Sequence, residues 1–297
     1  MALLRPFPRR CSSQLTPLND PGSARTAFGV DRLWQSAQHP RRLAVVLTVC
    51  LLVPQPACDR AGPPPQEEYR ILRVLPHDAE GYTQGLVFLD GRLFESTGQY
   101  GRSSVRELDP ASGAVLRSRS LGEEYFAEGL AAVRGELVQL TWKEGVAFVI
   151  DPRSLDVVRT YGYEGEGWGL CFDGTTVFMS NGTDTLYRRD PESFAIVGRL
   201  PVTKAGFPLS RLNELECVGQ TILANVFLSD DIVRIDKTTG HVTGIIDGYG
   251  LAGSGRRPDD PNAVLNGIAY EPTRGTLFVT GKLWPSLLEI ALAGEHR

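Results

Sequence analysis

One pattern constrains this chain more than any other: a strand, a tight turn and a second strand recur five times. The copies span 86–94 around Asp90-Gly91, 130–140 around Arg134-Gly135, 170–179 around Asp173-Gly174, 215–226 around Gly219-Gln220 and 268–279 around Arg274-Gly275. Such dipeptides join antiparallel strands, and no stretch of the body carries a sustained helical period. A second unit follows each of the first four copies, built on an Asp, a turn and an apolar strand. Its Asp residues are Asp109, Asp151, Asp190 and Asp236, spaced 42, 39 and 46 residues apart. Two hairpins in roughly 40–45 residues supply four strands, the content of one propeller blade. The period therefore predicts an all-β chain folded as a five-bladed β-propeller over residues 69–297. The fifth blade has one late strand at 288–290, and its closing strand is expected from 71–75, ahead of the first repeat. That pairing would join the ends of the ring. A β-sandwich with the same number of strands leaves the period unexplained.

The 32 Gly and 20 Pro among 297 residues, with only two Met, fit a chain rich in turns rather than long helices. Charge divides unevenly. Residues 1–58 contain seven Arg and two acids, so the overall −4 conceals an acidic body of about −9. An acidic body argues against a general binder of phosphate backbones, and no nucleic-acid partner is expected.

The basic N-terminal region reads as a delivery segment. Pro40-Arg41-Arg42 leads into an apolar stretch over 43–53, too short for an ordinary membrane span and right for the apolar core of a signal peptide. Gln55-Pro56-Ala57-Cys58 follows, an imperfect lipoprotein-processing site with Cys58 as the candidate lipidation residue. The start of translation is expected inside the long segment before Arg41, near Val30. Residues 59–68 read as a flexible, solvated tether. The expectation is export to the periplasm or cell envelope, with membrane contact only through the signal peptide or a lipid on Cys58. By fold analogy the protein is expected to be a monomer.

Three of the five Cys lie within 1–58, leaving Cys171 and Cys217 in the body. They read as two buried free thiols, with pairing in an oxidising compartment as the alternative. The four His are scattered and no Cys-x-x-Cys occurs, so no metal site and no cofactor are expected.

A propeller works where its innermost strands meet. A short motif precedes each first strand: Thr83-Gln84-Gly85, Ala127-Glu128-Gly129, Gly167-Trp168-Gly169, Leu212-Asn213-Glu214 and Leu265-Asn266-Gly267. Gly at the last position lets backbones approach closely. The residue before it differs in every repeat but the last two, as a ligand-facing ring requires; turn residues at each blade mouth are the plainer reading. The second strands end near Glu95, Trp142, Asn181, Phe227 and Lys282. In shared register, Glu128, Trp142, Trp168, Phe227, Lys282 and several amides would form one aromatic-walled pocket with a carboxylate and an ammonium. Outside that register Trp142 and Trp284 would be packing residues and Glu128 a solvated acid.

These motifs resemble the plant-type glutaminyl-peptide cyclotransferases, a family with bacterial members. The likeness is carried by Pro76-His77-Asp78, Tyr82-Thr83-Gln84-Gly85, Glu95-Ser96-Thr97-Gly98, Gln139-Leu140-Thr141-Trp142, Glu166-Gly167-Trp168-Gly169-Leu170, Leu212-Asn213-Glu214-Leu215-Glu216, Leu265-Asn266-Gly267-Ile268 and Thr280-Gly281-Lys282-Leu283-Trp284-Pro285, and covers about residues 69–292. It implies a five-bladed propeller that converts the N-terminal glutamine of peptides or proteins to pyroglutamate with release of ammonia. It also implies that Glu128 is the catalytic proton shuttle and that Gln84, Trp142, Trp168, Asn213 and Lys282 bind substrate, with no metal. One departure stands out: Phe227 replaces the family's usual Trp, keeping an apolar wall but lacking the indole N–H. The alternative function is a non-catalytic cell-envelope binding module. A quinone-dependent dehydrogenase propeller would need more blades than this chain can supply.

Overall fold

The computed structural model describes residues 62–293. Almost every described residue belongs to a strand or to the turn joining two strands. The first strand, β1 (Tyr69–Pro76), stands apart from the four that follow it. Blade one is β2 (Thr83–Leu89), β3 (Arg92–Thr97), β4 (Ser104–Leu108) and β5 (Val115–Ser120). Blade two is β6 (Ala127–Val133), β7 (Glu136–Thr141), β8 (Val146–Ile150) and β9 (Val157–Gly162). Blade three is β10 (Leu170–Phe172), β11 (Val177–Met179), β12 (Thr185–Arg189) and β13 (Ile196–Pro201). A small hairpin, β14 (Thr203–Lys204) and β15 (Phe207–Pro208), precedes blade four. That blade is β16 (Leu212–Val218), β17 (Thr221–Val226), β18 (Asp231–Asp236) and β19 (Val242–Asp247). After the short helix α1 (Tyr249–Ser254), blade five begins with β20 (Leu265–Glu271), β21 (Thr276–Gly281) and β22 (Ser286–Leu292).

The fifth blade is completed by β1, which pairs antiparallel with β22 from Tyr69↔Leu292 to Pro76↔Ser286. The two ends of the chain thus share one sheet, as the repeat pattern requires. The innermost strands β2, β6, β10, β16 and β20 contact one another in that order, and β20 returns to β2. This closed ring is the five-bladed propeller.

Packing follows from blade geometry. Each seam between neighbouring blades holds its own hydrophobic cluster. Leu130, Leu137 and Ile150 of blade two pack with Val87 and Phe94 of blade one, and Leu215, Ile222 and Val233 of blade four pack with Phe178 and Leu186 of blade three. Inner strands are buried over most of their length, whereas β5 and β9 at the rim are almost wholly exposed. The recurring turns have a local cause. Asp90-Gly91 and Arg134-Gly135 all have positive φ, the requirement of a two-residue hairpin whose twist matches its strands. The recurring Asp residues close the second hairpin: Asp109, Asp151, Asp190 and Asp236 each accept, through Oδ1, the backbone N–H two residues on, at 2.7–3.1 Å.

Two expectations need correction. Cys171 and Cys217 are not free thiols but a disulfide, with Cα atoms 5.5 Å apart, joining β10 of blade three to β16 of blade four. Inner strands converge toward the axis, and this brings together two residues from successive repeats. The tether is docked at its C-terminal end. Glu67 N–H donates to Ile245 O at 2.7 Å, Ile245 N–H donates to Pro65 O at 2.9 Å, and Glu67 pairs with Arg234 at 2.7 Å. The apolar stretch at 43–53 and Cys58 lie outside the described residues. Among the described residues no helix is long and apolar enough to cross a membrane.

Candidate active site

The five motifs stand at the heads of the inner strands, where pairing is irregular. Register shifts fall between Thr83 and Gly85, Ala127 and Leu130, Leu212 and Leu215, and Leu265 and Ile268. Irregularities of this kind re-aim a side chain out of the alternation of a strand. The glycines are required by the ring. A Cβ on Gly85 would lie 2.5 Å from Leu130 N of the next blade, and one on Gly129 would lie 2.7 Å from Leu170 N. Blade four has Glu214 at this position. Its buried carboxylate oxygen Oε1 accepts the Leu86 N–H of blade one at 3.3 Å, and burial holds its carboxyl well above the usual range.

Gln84, Glu128, Trp142, Trp168, Asn213, Phe227 and Lys282 all line one cavity of about 260 Å³. Tyr82 and Phe126 complete its wall, and neither was singled out from the sequence as a site residue. The aromatic rings brace one another edge to face: Phe126 meets Trp142 at 5.6 Å between centroids, and Trp168 meets Phe227 at 5.7 Å. Both tryptophans are also tied at their polar edges. Trp142 Nε1 and Trp168 Nε1 each donate to the same oxygen, Glu166 Oε2, at 2.9 Å. Asn266, the fifth motif residue, is not part of the wall. It is fully buried and donates to Thr83 O at 3.0 Å and to Gln84 Oε1 at 3.4 Å. Trp284 is a packing residue, its indole N–H bonded to Ala263 O at 3.1 Å.

The two charged groups of the cavity perturb each other. Glu128 is 6% exposed and accepts the Gln84 side-chain amide at 3.0 Å. Burial pushes its carboxyl well above the ordinary value; Glu166 and Glu144 act in the same direction and Lys282 opposes them. Burial lowers the Lys282 ammonium to about 8, against the pull of Glu128. Its Nζ stands 4.7 Å from the centre of the Tyr82 ring and 5.5 Å from that of Phe227. Asn213 also lines the cavity, and its Oδ1 is buried with no protein partner.

Behind the wall lies a second buried network. His77 Nε2 and Glu95 Oε1 are 3.0 Å apart, and Thr83 Oγ1 donates to the same oxygen at 2.7 Å. Burial favours neutral Glu95, yet His77, Thr83 and Arg106 together hold it below the usual range. This network fixes the backbone that enters the Gln84 motif. Among the described residues no three His, Cys, Asp or Glu side chains converge as a metal-ligand set.

A cavity with one buried acid, one softened ammonium and an aromatic wall suits a small polar group that must exchange protons away from bulk water. A family model described as glutamine cyclotransferase matches residues 43–292. A glutaminyl-peptide cyclotransferase of Arabidopsis thaliana is 41% identical over 231 residues, which is 76% of this chain and 71% of the plant protein. The crystal structure of Myxococcus xanthus glutaminyl cyclase superimposes with a TM-score of 0.73 at 42% identity, covering 77% of this chain and 98% of that one. With a family match over most of its length and a shared five-bladed ring, the chain belongs to the glutamine cyclotransferase family.

Proposed function

We propose that this pocket closes the N-terminal glutamine of a peptide or protein into pyroglutamate and releases ammonia, with Glu128 as the proton shuttle. The observation that carries this reading is the placement of Glu128: a buried carboxyl of raised proton affinity inside an aromatic cavity that also holds Lys282. The neutral α-amine attacks the side-chain carboxamide carbon of the same residue, forming a C–N bond and a tetrahedral centre. Glu128 takes the proton from the attacking nitrogen and delivers it to the departing amide nitrogen, so that C–N cleavage yields ammonia and regenerates the carboxylate. A carboxyl near its usual value would hold such a proton poorly; burial corrects this.

The remaining residues supply geometry and charge. Trp142, Trp168 and Phe227 favour the folded, ring-closing conformer and exclude water, an orienting effect that contributes several kcal/mol in comparable reactions. Asn213, which lines the cavity, suits the α-amine. Lys282 suits the oxygen on which negative charge develops. The scheme uses protein groups alone. Export belongs to the same proposal, supported by the apolar stretch at 43–53 and by the Cys171–Cys217 disulfide, a bond typical of oxidising compartments. Incubating the protein with Gln-initiated peptides and weighing the products tests the reaction. Loss of one ammonia from peptides beginning with Gln, but not from those beginning with Asn or Ala, is expected. Unchanged masses throughout contradict it.

A further inference from the structure

Glu166 neither gives nor takes a proton in the scheme above, yet it holds two walls of the pocket at once. It lies in the link between β9 of blade two and β10 of blade three. Trp142 reaches the cavity from blade two and Trp168 from the head of blade three. Both indole N–H groups converge on Glu166 Oε2 at 2.9 Å, and one carboxylate oxygen has lone pairs enough for two donors. Hydrogen bonds to an ionised acceptor are stronger than neutral ones. Backbone bonds reinforce the arrangement: Gly167 N–H donates to Trp142 O at 2.9 Å and Trp168 N–H to Ser180 O at 3.1 Å. On the outer side, Lys143 Nζ lies 3.6 Å from the Trp142 ring centre and 4.0 Å from Glu166 Oε1.

An indole pinned only by ring contacts can turn about its Cβ–Cγ bond and present either edge. An indole whose N–H is also held cannot do so without losing that bond. The two faces lining the cavity are therefore set by a single side chain that spans the seam between blades. We propose that Glu166 is a positioning residue that clamps Trp142 and Trp168 in the orientation that receives the glutaminyl side chain. This rests on the cyclisation reading for its kinetic consequence, but not for the clamp itself.

Two measurements test it. The first is ultraviolet resonance Raman of the free protein, read at the indole band sensitive to N–H hydrogen bonding, as a variant-minus-wild-type difference that cancels the unaffected tryptophans. Glu166→Ala should show loss of bonding at two indoles, and Glu166→Gln, whose amide oxygen can still accept both, should restore it. The second is kinetics with a Gln-initiated dipeptide. Glu166→Ala should raise KM about tenfold, with kcat changed less than about threefold. Glu166→Gln should keep KM within about threefold of wild type. An unchanged indole band in Glu166→Ala, or a wild-type KM there, overturns the proposal. Where the Ala variant does not fold, Glu166→Gln decides alone: a tenfold KM rise with the band unmoved overturns it, and a bonded band with near-normal KM supports it. Absence of ammonia release by the wild type would instead dismiss the cyclisation reading, while the Raman result still decides the clamp.

Discussion

The side-chain amide of Gln84 donates to Glu128 Oε1 at 3.0 Å across the seam between blades one and two. A donor to the ionised form favours that form. Gln84 thus restrains the upward push that burial exerts on Glu128, and keeps the carboxyl able to release its proton as well as to accept one. Gln84 is itself held by Asn266 Nδ2 at 3.4 Å, so the relationship reaches into blade five. Gln84→Leu removes the donor at similar volume. The acid limb of the kcat profile should move to higher pH, and kcat near neutrality should fall about tenfold. A pH–rate profile with both limbs unmoved would show that the contact is not functional.

Lys282 gives a prediction with a definite sign. Its folded value is lowered to about 8, so the cation present below that pH is lost as pH rises through it. Loss of the cation also removes the one charge that opposes protonation of Glu128. Wild-type kcat should therefore decline above about pH 8. Lys282→Met should lower kcat by about ten- to a hundredfold and abolish the decline over that window, while moving the acid limb upward. The same basic limb in the variant would assign it to another group.

The disulfide between Cys171 and Cys217 ties the inner strands of blades three and four across 46 residues of sequence. A bond closing a loop of that length stabilises by about 2–4 kcal/mol. Thermal unfolding with and without reductant should show Tm lower by roughly 10 °C on reduction in a domain of this size. Activity at room temperature should persist, since neither Cys lines the cavity. Equal Tm values would show that the bond constrains nothing.

Much of this ring was legible because its repeats have separate physical causes. Asp109, Asp151, Asp190 and Asp236 recur because each closes a turn with its own carboxylate. Gly85 and Gly129 recur because neighbouring inner strands leave no room for a Cβ. Those glycines, with Gly169, put three motifs in register and so brought Gln84, Glu128 and Trp168 to one cavity; Asn213 joins them although Glu214 stands at its Gly position. What stayed hidden depends on contacts between repeats rather than within them. Cys171 and Cys217 stand at unequal distances from the Leu170 and Leu215 of their strands, so the period does not align them. Phe126 enters the wall from the residue ahead of the Glu128 motif, and Tyr82 from the residue ahead of Thr83, positions that alternation does not assign to a face. Glu166 stands two residues before Trp168 in its motif, but its hold on Trp142 needs two blades side by side.

The most direct test of the account is turnover by Glu128→Gln, an isosteric change that removes the proton acceptor and leaves an amide able to meet Gln84. Ammonia release from a Gln-initiated dipeptide would be followed in wild type and variant, with thermal unfolding checked on both. The account predicts a fold retained intact and kcat lowered by about 10²–10⁴, the usual contribution of a positioned acid–base group. Turnover in Glu128→Gln equal to wild type would contradict it.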